Sequence, residues 1–299
     1  MNPALKDMLD GYKPKSANDY QNAVREVVQE LALLGLSRGR FFAHAAFYGG
    51  TALRIFHGMR RFSEDLDFSL LEQGNSTRLE QFLPSISEEL TSWGFTFDVD
   101  QRSTGARTGI ESAFLKGSTQ INLLYIGTPP DLAGRLPSGQ KIKIKLEMDL
   151  QPPPYATTEV RTQLLPTPYQ VQLYDLGSLF AGKLHAVLCR GWKERIKGRD
   201  FYDFVWYVGR NIKPNLKHLD ARMRQSGHWK GETITMEVLN RLLKDRFSKL
   251  DFNEAANEVR VFLHDSREVE LWSNGFFIDL ANRLTIDRTA SQNSGSKAT

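Results

Sequence analysis

The chain has 299 residues, 40% hydrophobic and 25% charged, the composition of an ordinary water-soluble protein of one large or two smaller domains. Its 39 basic against 35 acidic side chains leave a formal charge of +4, too mild to mark a nucleic-acid binder by itself. A single cysteine, Cys189, excludes a disulfide framework and a multi-cysteine zinc site, and no run reaches the ~18 consecutive apolar residues of a membrane span. The N-terminus lacks the apolar core of a signal peptide, so the expectation is a cytoplasmic protein with no membrane contact.

The first amphipathic pattern predicts a helix over 17–36, with Val24, Val27, Val28, Leu31 and Leu34 on one face, Asn18 as N-cap and Gly35 after the last turn. The apolar run FFAHAAFY leads into Gly49–Gly50, and TALRIFHG reads as a short helix ended by Gly58. Over 64–71, Leu66, Phe68 and Leu70 alternate with Asp65, Asp67 and Ser69, which predicts a strand. A helix follows around 78–93, with Pro84 marking a split or a late start. Strands are expected at 95–101, 110–116, 119–127 and 141–150.

Five prolines between 151 and 170 argue against regular structure there and suggest a crossover between two parts of the chain. Beyond it the periodicity predicts helices near 175–190, 199–210, 234–247, 251–265 and 274–284. The fold class expected is α+β: an N-terminal domain with a mixed sheet over 1–165, a C-terminal helical bundle over 166–288, and a disordered tail over 289–299. Charge follows this division, with 21 basic against 16 acidic side chains over 171–299 and 18 against 19 before it. Much of the excess is one run: Arg190, Lys193, Arg195, Lys197 and Arg199.

The strongest local signal is Tyr48-Gly49-Gly50-Thr51-Ala52-Leu53-Arg54, followed by Arg61, Ser63, Asp65 and Asp67. Paired glycines before a helix let the backbone approach a ligand and present free N–H groups to a phosphate, and Thr51 adds a hydroxyl. Asp65 and Asp67, two apart on a strand, project from one face and repel unless a cation lies between them. Mg²⁺ takes one or two carboxylates plus substrate phosphate oxygens, and Arg54, Arg60 and Arg61 are available for phosphate charge. On the 141–150 strand, Glu147 and Asp149 share a face with Lys143 and Lys145. Further on, Lys183 sits in the apolar stripe of Leu176, Leu179, Phe180 and Val187, and Asp200 lies in the first turn of the helix after the basic run.

Together these motifs resemble the DNA polymerase beta-type nucleotidyltransferase superfamily, and more closely the AbiEii/AbiGii toxin family, through Gly49–Phe68. The resemblance implies an Mg²⁺-dependent nucleotidyltransferase that moves NMP from an NTP to an acceptor hydroxyl, such as the 3′ end of tRNA. A separately encoded antitoxin would be its partner. Asp65, Asp67, Lys183 and Asp200 would be catalytic. Gly49, Gly50, Thr51, Arg61, Ser63 and Lys183 would bind nucleotide. Asp65, Asp67 and a third carboxylate, Glu147 in preference to Asp149, would hold a two-metal site. Asp200 would position Lys183 or act near the acceptor, Asp203 would be structural, and Asp175 would cap its helix. The run from Arg190 to Arg199 would face RNA, and the site is expected between the two domains. The competing readings are a kinase or a nucleotidyltransferase acting on a protein or small-molecule hydroxyl, and an inactive RNA- or antitoxin-binding scaffold.

Three features point to packing or to nothing further. His57, beside the glycine turn, reads as a helix-surface residue, and the aromatics from Phe201 to Tyr207 read as packing. His185 and Cys189 have a spacing that can hold zinc, but with no further cysteine and no nearby histidine the pair is not a site.

Overall fold

A computed structural model describes residues 2–102, 109–118, 134, 139–191, 196–263 and 265–285. The expected strand at 119–127, the expected tail, Lys193 and Arg195 lie outside the described residues. The chain divides into two compact units, Met1–Pro152 with Thr158–Asp175, and Pro153–Thr157 with Leu176–Thr299.

The first unit is built on one mixed sheet of strands β1 (Ala45–Tyr48), β2 (Leu66–Leu70), β3 (Asp98–Arg102), β4 (Ile110–Ser118), β5 (Lys141–Asp149), β6 (Thr158–Gln163) and β7 (Tyr169–Tyr174). Their order across the sheet is β3-β4-β5-β2-β1-β7-β6. β2 runs parallel to β5 and β1 parallel to β7, and the other neighbours are antiparallel. β6 and β7 overturn the reading of 151–170 as irregular. Their prolines, Pro166 and Pro168, fall in the connection between the strands, where no ladder hydrogen bond is lost.

The helices of this unit are α1 (Pro3–Tyr12), which carries no signal strong enough to be expected, α2 (Ala17–Arg38), α3 (Gly49–His57) and α4 (Leu83–Ser92). α2 packs on β5, β7 and α4, and Val24, Val27, Val28 and Leu31 are fully buried. Its N-cap is Ser16 in a capping box with Asp19, not Asn18. Gly35 lies inside α2 rather than ending it: a Cβ there would stand 2.7 Å from the Ser85 carbonyl oxygen, so the glycine lets α2 and α4 approach closely. Pro84 occupies the first turn of α4, after a short 3₁₀ turn over Leu79–Phe82, which accounts for the break in the helical pattern.

α2 also carries a buried polar row that reaches the segment before β2. The Gln29 amide donates to the carbonyls of Ser63 (3.2 Å) and Glu64 (3.0 Å), and Glu26 pairs with Arg54 at 2.9 Å. Arg54 also donates to the carbonyls of Met59 and Arg60. It is therefore a brace for this loop, not a free charge for phosphate.

The second unit is helical: α5 (Leu176–Cys189), α6 (Gly198–Gly209), α7 (Leu216–Gln225), α8 (Met236–Ser248), α9 (Phe252–Val259) and α10 (Asn274–Thr285). α7 is an addition to the helices expected. Phe201 and Phe204 of α6 pack among Phe247 and Phe277, with Phe252 against Phe201, and Phe180 stacks on Tyr207 at 4.3 Å. The aromatic cluster is core. A Cβ at Gly198 would overlap the Ala255 carbonyl, so only glycine lets α6 start hard against α9.

Glu30 gives the first unit a pH dependence. Burial raises its carboxyl from 4.5 to about 7, although Gln163 and the Tyr12 hydroxyl donate to it and oppose the shift. A raised carboxyl stabilises the fold fully below the unfolded value of 4.5, and that stability is lost as pH rises through about 7. The loss amounts to roughly 3 kcal/mol. In urea unfolding at pH 5 and pH 8, Glu30→Gln is expected to remove most of the decline between the two. An undiminished decline in the variant would assign it to another group.

Candidate functional site

In the first unit, the antiparallel pairing of β1 with β2 sets Tyr48 opposite Asp67, so the glycine turn that follows β1 falls on the aspartate. Gly49 has φ +84°, and a Cβ on it would overlap the Asp67 carboxylate. A Cβ on Gly50 would stand 2.7 Å from the Arg61 guanidinium and 2.9 Å from the Ser63 hydroxyl. Both glycines thus mark a close approach of backbone to polar side chains. α3 begins at Gly49 with no side-chain cap, which leaves its first N–H groups to other partners. The Thr51 hydroxyl is spent elsewhere. Fully buried, it donates to the Asp65 carbonyl and ties α3 to the start of β2.

The parallel pairing of β2 with β5 sets Asp67 opposite Glu147 and Ser69 opposite Asp149. Side chains of such partners leave the sheet on one face, so Glu147, not Asp149, is the direct neighbour of Asp67. Asp149 instead accepts from the Gln151 N–H at 2.9 Å. Glu147 is held by the Lys145 ammonium at 2.5 Å and by the Ser112 hydroxyl at 3.4 Å. Lys145 and Ser112 escape a reading by motif. The only signal for Lys145 is its place two residues before Glu147, on the same face of the strand. The group of metal-ligating side chains whose donor atoms lie within 4.8 Å of one another, among the described residues, is in the other unit.

His57 closes α3 at 3.8 Å from Glu159 of β6, with 4% of its side chain exposed. Burial lowers its pKa to about 4, helped by Arg161 and opposed by Glu159, so it is neutral at pH 7. It is a packed residue, not one on the helix surface.

In the second unit, the Lys183 ammonium is 2.7 Å from Asp200 and 2.8 Å from Asp203, and Arg190 reaches the other oxygen of Asp200 at 2.7 Å. The aspartates are 3% and 0% exposed, and their charges are balanced by the largely buried Lys183 and the half-exposed Arg190. Burial alone would raise the Asp200 carboxyl, but Lys183 and Arg190 outweigh it and hold the group below its ordinary value. That contribution to stability is present above the ordinary carboxylate range and is lost as pH falls through the lowered value. Arg190, expected to face RNA, is thus a partner of Asp200. Arg199 lies 4.0 Å from Glu258 and over the Phe262 ring at 4.3 Å, and burial lowers the pKa of Lys197.

The strand pairings bring the glycine turn, Asp67 and Glu147 to neighbouring positions of one sheet, and membership of a family settles the class. The model of the family described as nucleotidyl transferase AbiEii toxin, type IV toxin–antitoxin system, matches residues 31–275, and the chain belongs to that family. Membership implies an NTP substrate and an antitoxin partner. Among solved structures, JHP933 from Helicobacter pylori is similar in fold, with TM-score 0.50 and 16% identity over 88% of this chain and 91% of that one. A candidate nucleotidyltransferase from H. pylori gives TM-score 0.48 and 15% identity over 87% and 92%. No curated protein matches the sequence. Among the described residues, no helix is long and apolar enough to cross a membrane.

Two substitutions separate fold from chemistry here. Gly49→Ala places a methyl on the Asp67 carboxylate at a positive φ. It is expected to cost about 1–3 kcal/mol in thermal unfolding and to abolish nucleotide transfer at temperatures where the variant remains folded. Lys183→Ala leaves two buried carboxylates facing each other and is expected to cost about 3–5 kcal/mol. Adding Asp200→Asn and Asp203→Asn should recover part of that stability and none of the activity, as read by unfolding and turnover on the same samples.

Proposed function

We propose that the protein moves a nucleoside monophosphate from an NTP to the 3′ hydroxyl of a tRNA, with Mg²⁺ as the divalent ion. One observation carries the reading: two strand pairings align the glycine turn, Asp67 and Glu147 across three neighbouring strands. Asp67 and Glu147 from one sheet, with Asp65 immediately before β2, offer hard oxygen donors, the donor set that suits Mg²⁺ together with phosphate oxygens. When bound, the metal would supply charge stabilisation to both the attacking and the leaving oxygens. The chain's own residues do the positioning. The uncapped N-terminus of α3 receives a phosphate, with Arg61 and Ser63 behind Gly50 adding charge and a hydroxyl. Thr51 holds Asp65 in place. Lys183, oriented by Asp200 and Asp203, supplies positive charge to the nucleotide phosphates. Glu147, once released by Lys145, also stands ready to accept the proton of the acceptor hydroxyl. The segment carrying Arg190, Lys193, Arg195, Lys197 and Arg199 would lie along the acceptor RNA, and an antitoxin encoded separately would restrain the enzyme in the cytoplasm.

The test is incubation of the full chain with total tRNA and each NTP, labelled at the α or γ phosphate. Label is expected in RNA from the α position of one NTP, and Asp67→Asn should lower its rate at least about 10²-fold. Label entering from the γ position would make the protein a kinase instead. No label from either position, with toxicity undiminished in Asp65→Ala, would leave a binding scaffold.

A further inference from the structure

We propose that His185, Cys189 and His228 form a binding site for one zinc-class divalent cation, with the Ser226 hydroxyl beside its fourth position. His185 and Cys189 stand one turn apart on α5, so their side chains share a face of that helix. The third ligand is the one the sequence conceals, 39 residues beyond Cys189. His228 lies in the turn after α7, where its N–H donates to the Met223 carbonyl at 2.9 Å and brings the ring back to α5. One donor atom from each of the three side chains lies within 4.8 Å of the other two.

The nitrogen geometry points to a common centre. His185 Nε2 and His228 Nδ1 are each 2.9 Å from the same Ser226 Oγ. The two rings meet edge to face, at 90° and 6.1 Å between centroids, which lets nitrogens from both aim at one point instead of stacking past each other. Two imidazoles converging on one small polar atom beside a thiol is the layout a tetrahedral cation needs, with bonds of about 2.0–2.1 Å to nitrogen and 2.3 Å to sulfur. Donors sharing one such ion stand about 3.3–3.8 Å apart, and here all three lie within 4.8 Å of one another, with Cys189 partly buried and His228 exposed.

The donor set selects the ion. One thiolate and two neutral imidazoles suit Zn²⁺ or Co²⁺ and do not suit Mg²⁺, which prefers oxygen. Burial keeps His185 neutral, with its pKa near 4, and therefore ready to ligate. Burial also keeps the thiol protonated, while Arg246 and Arg222 favour the thiolate. On binding, the Cys189 S–H bond breaks, its proton goes to solvent, and sulfur forms the metal bond. The cation would pin the turn after α7 to the last turn of α5, immediately before Arg190 and its bond to Asp200. Its role is a structural clamp, independent of the nucleotide reading.

The full chain, stripped with chelator and kept in excess Mg²⁺ to occupy the carboxylates, would be titrated with Co²⁺ alone. A thiolate-to-cobalt charge-transfer band is expected to saturate at one equivalent, release one proton and disappear when Zn²⁺ is added. Cys189→Ser should abolish the band, and His228→Ala should weaken binding at least about tenfold. Because His228 is exposed, its variant is expected to fold and decides the matter if Cys189→Ser does not. Binding without a thiolate band, no binding at all, or affinity unchanged in His228→Ala would overturn the site.

Discussion

The pairing of β1 with β2 is the contact on which the candidate site in the first unit depends. It is short, with Ala45 to Tyr48 opposite Leu70 to Asp67, yet it fixes the glycine turn at the strand that bears Asp67 and directly follows Asp65. The turn cannot retreat, because Thr51 is bonded to the Asp65 carbonyl on the far side of the same approach. Nor can the segment before β2 drift, since Gln29 of α2 holds two of its carbonyls and Arg54 braces the loop before it. A register slip of one residue would turn Asp67 into the core and Phe68 out of it, so burial of Leu66, Phe68 and Leu70 enforces the register the chemistry requires.

Polar groups are buried in both units, and they are stabilised differently. Lys183, Arg190, Asp200 and Asp203 balance their charges among themselves, so the cost of leaving water is offset by short ion pairs. Glu30 has hydrogen bonds and, among the described residues, no ion pair at its carboxylate; burial raises its pKa, and the more distant Arg54 charge opposes that only weakly. The contrast explains why Asp200 remains ionised to low pH while Glu30 titrates near neutrality.

Much of this was legible in the sequence, where local periodicity carried it. The alternation of Leu66, Phe68 and Leu70 with Asp65 and Asp67 gave β2, and that of Ile142 to Leu150 gave β5. The lysine amid an apolar stripe singled out Lys183, which the structure pairs with Asp200 and Asp203, and the strand register sets Glu147 opposite Asp67 and Asp149 opposite Ser69. What escaped is set by tertiary context. Prolines at 166 and 168 hid two strands, because a proline in a connection and one in a ladder look alike in sequence. Gly35 read as a helix end although it is a packing contact with α4. His228 was invisible as a neighbour of Cys189, because only the fold of α7 returns it.

Charge is where composition misleads most. The excess of basic residues beyond 171 suggests a surface for polyanions, yet its described members in the 190–199 run are largely committed within the unit. Arg190 neutralises Asp200, and Arg199 covers Phe262 beside Glu258. Arg246, elsewhere in the same half, donates to the carbonyls of Val187 and Arg190. An arginine already bonded to a buried carboxylate gives little to a phosphate without exposing that carboxylate, a cost of several kcal/mol. Arg190 is 46% exposed at its side chain and holds Asp200 through one nitrogen, so its outer nitrogens can face a phosphate while the buried pair stays intact. A polyanion held there would meet only the outer edges of paired arginines, and the salt dependence of its binding would be shallower than the count of basic residues implies.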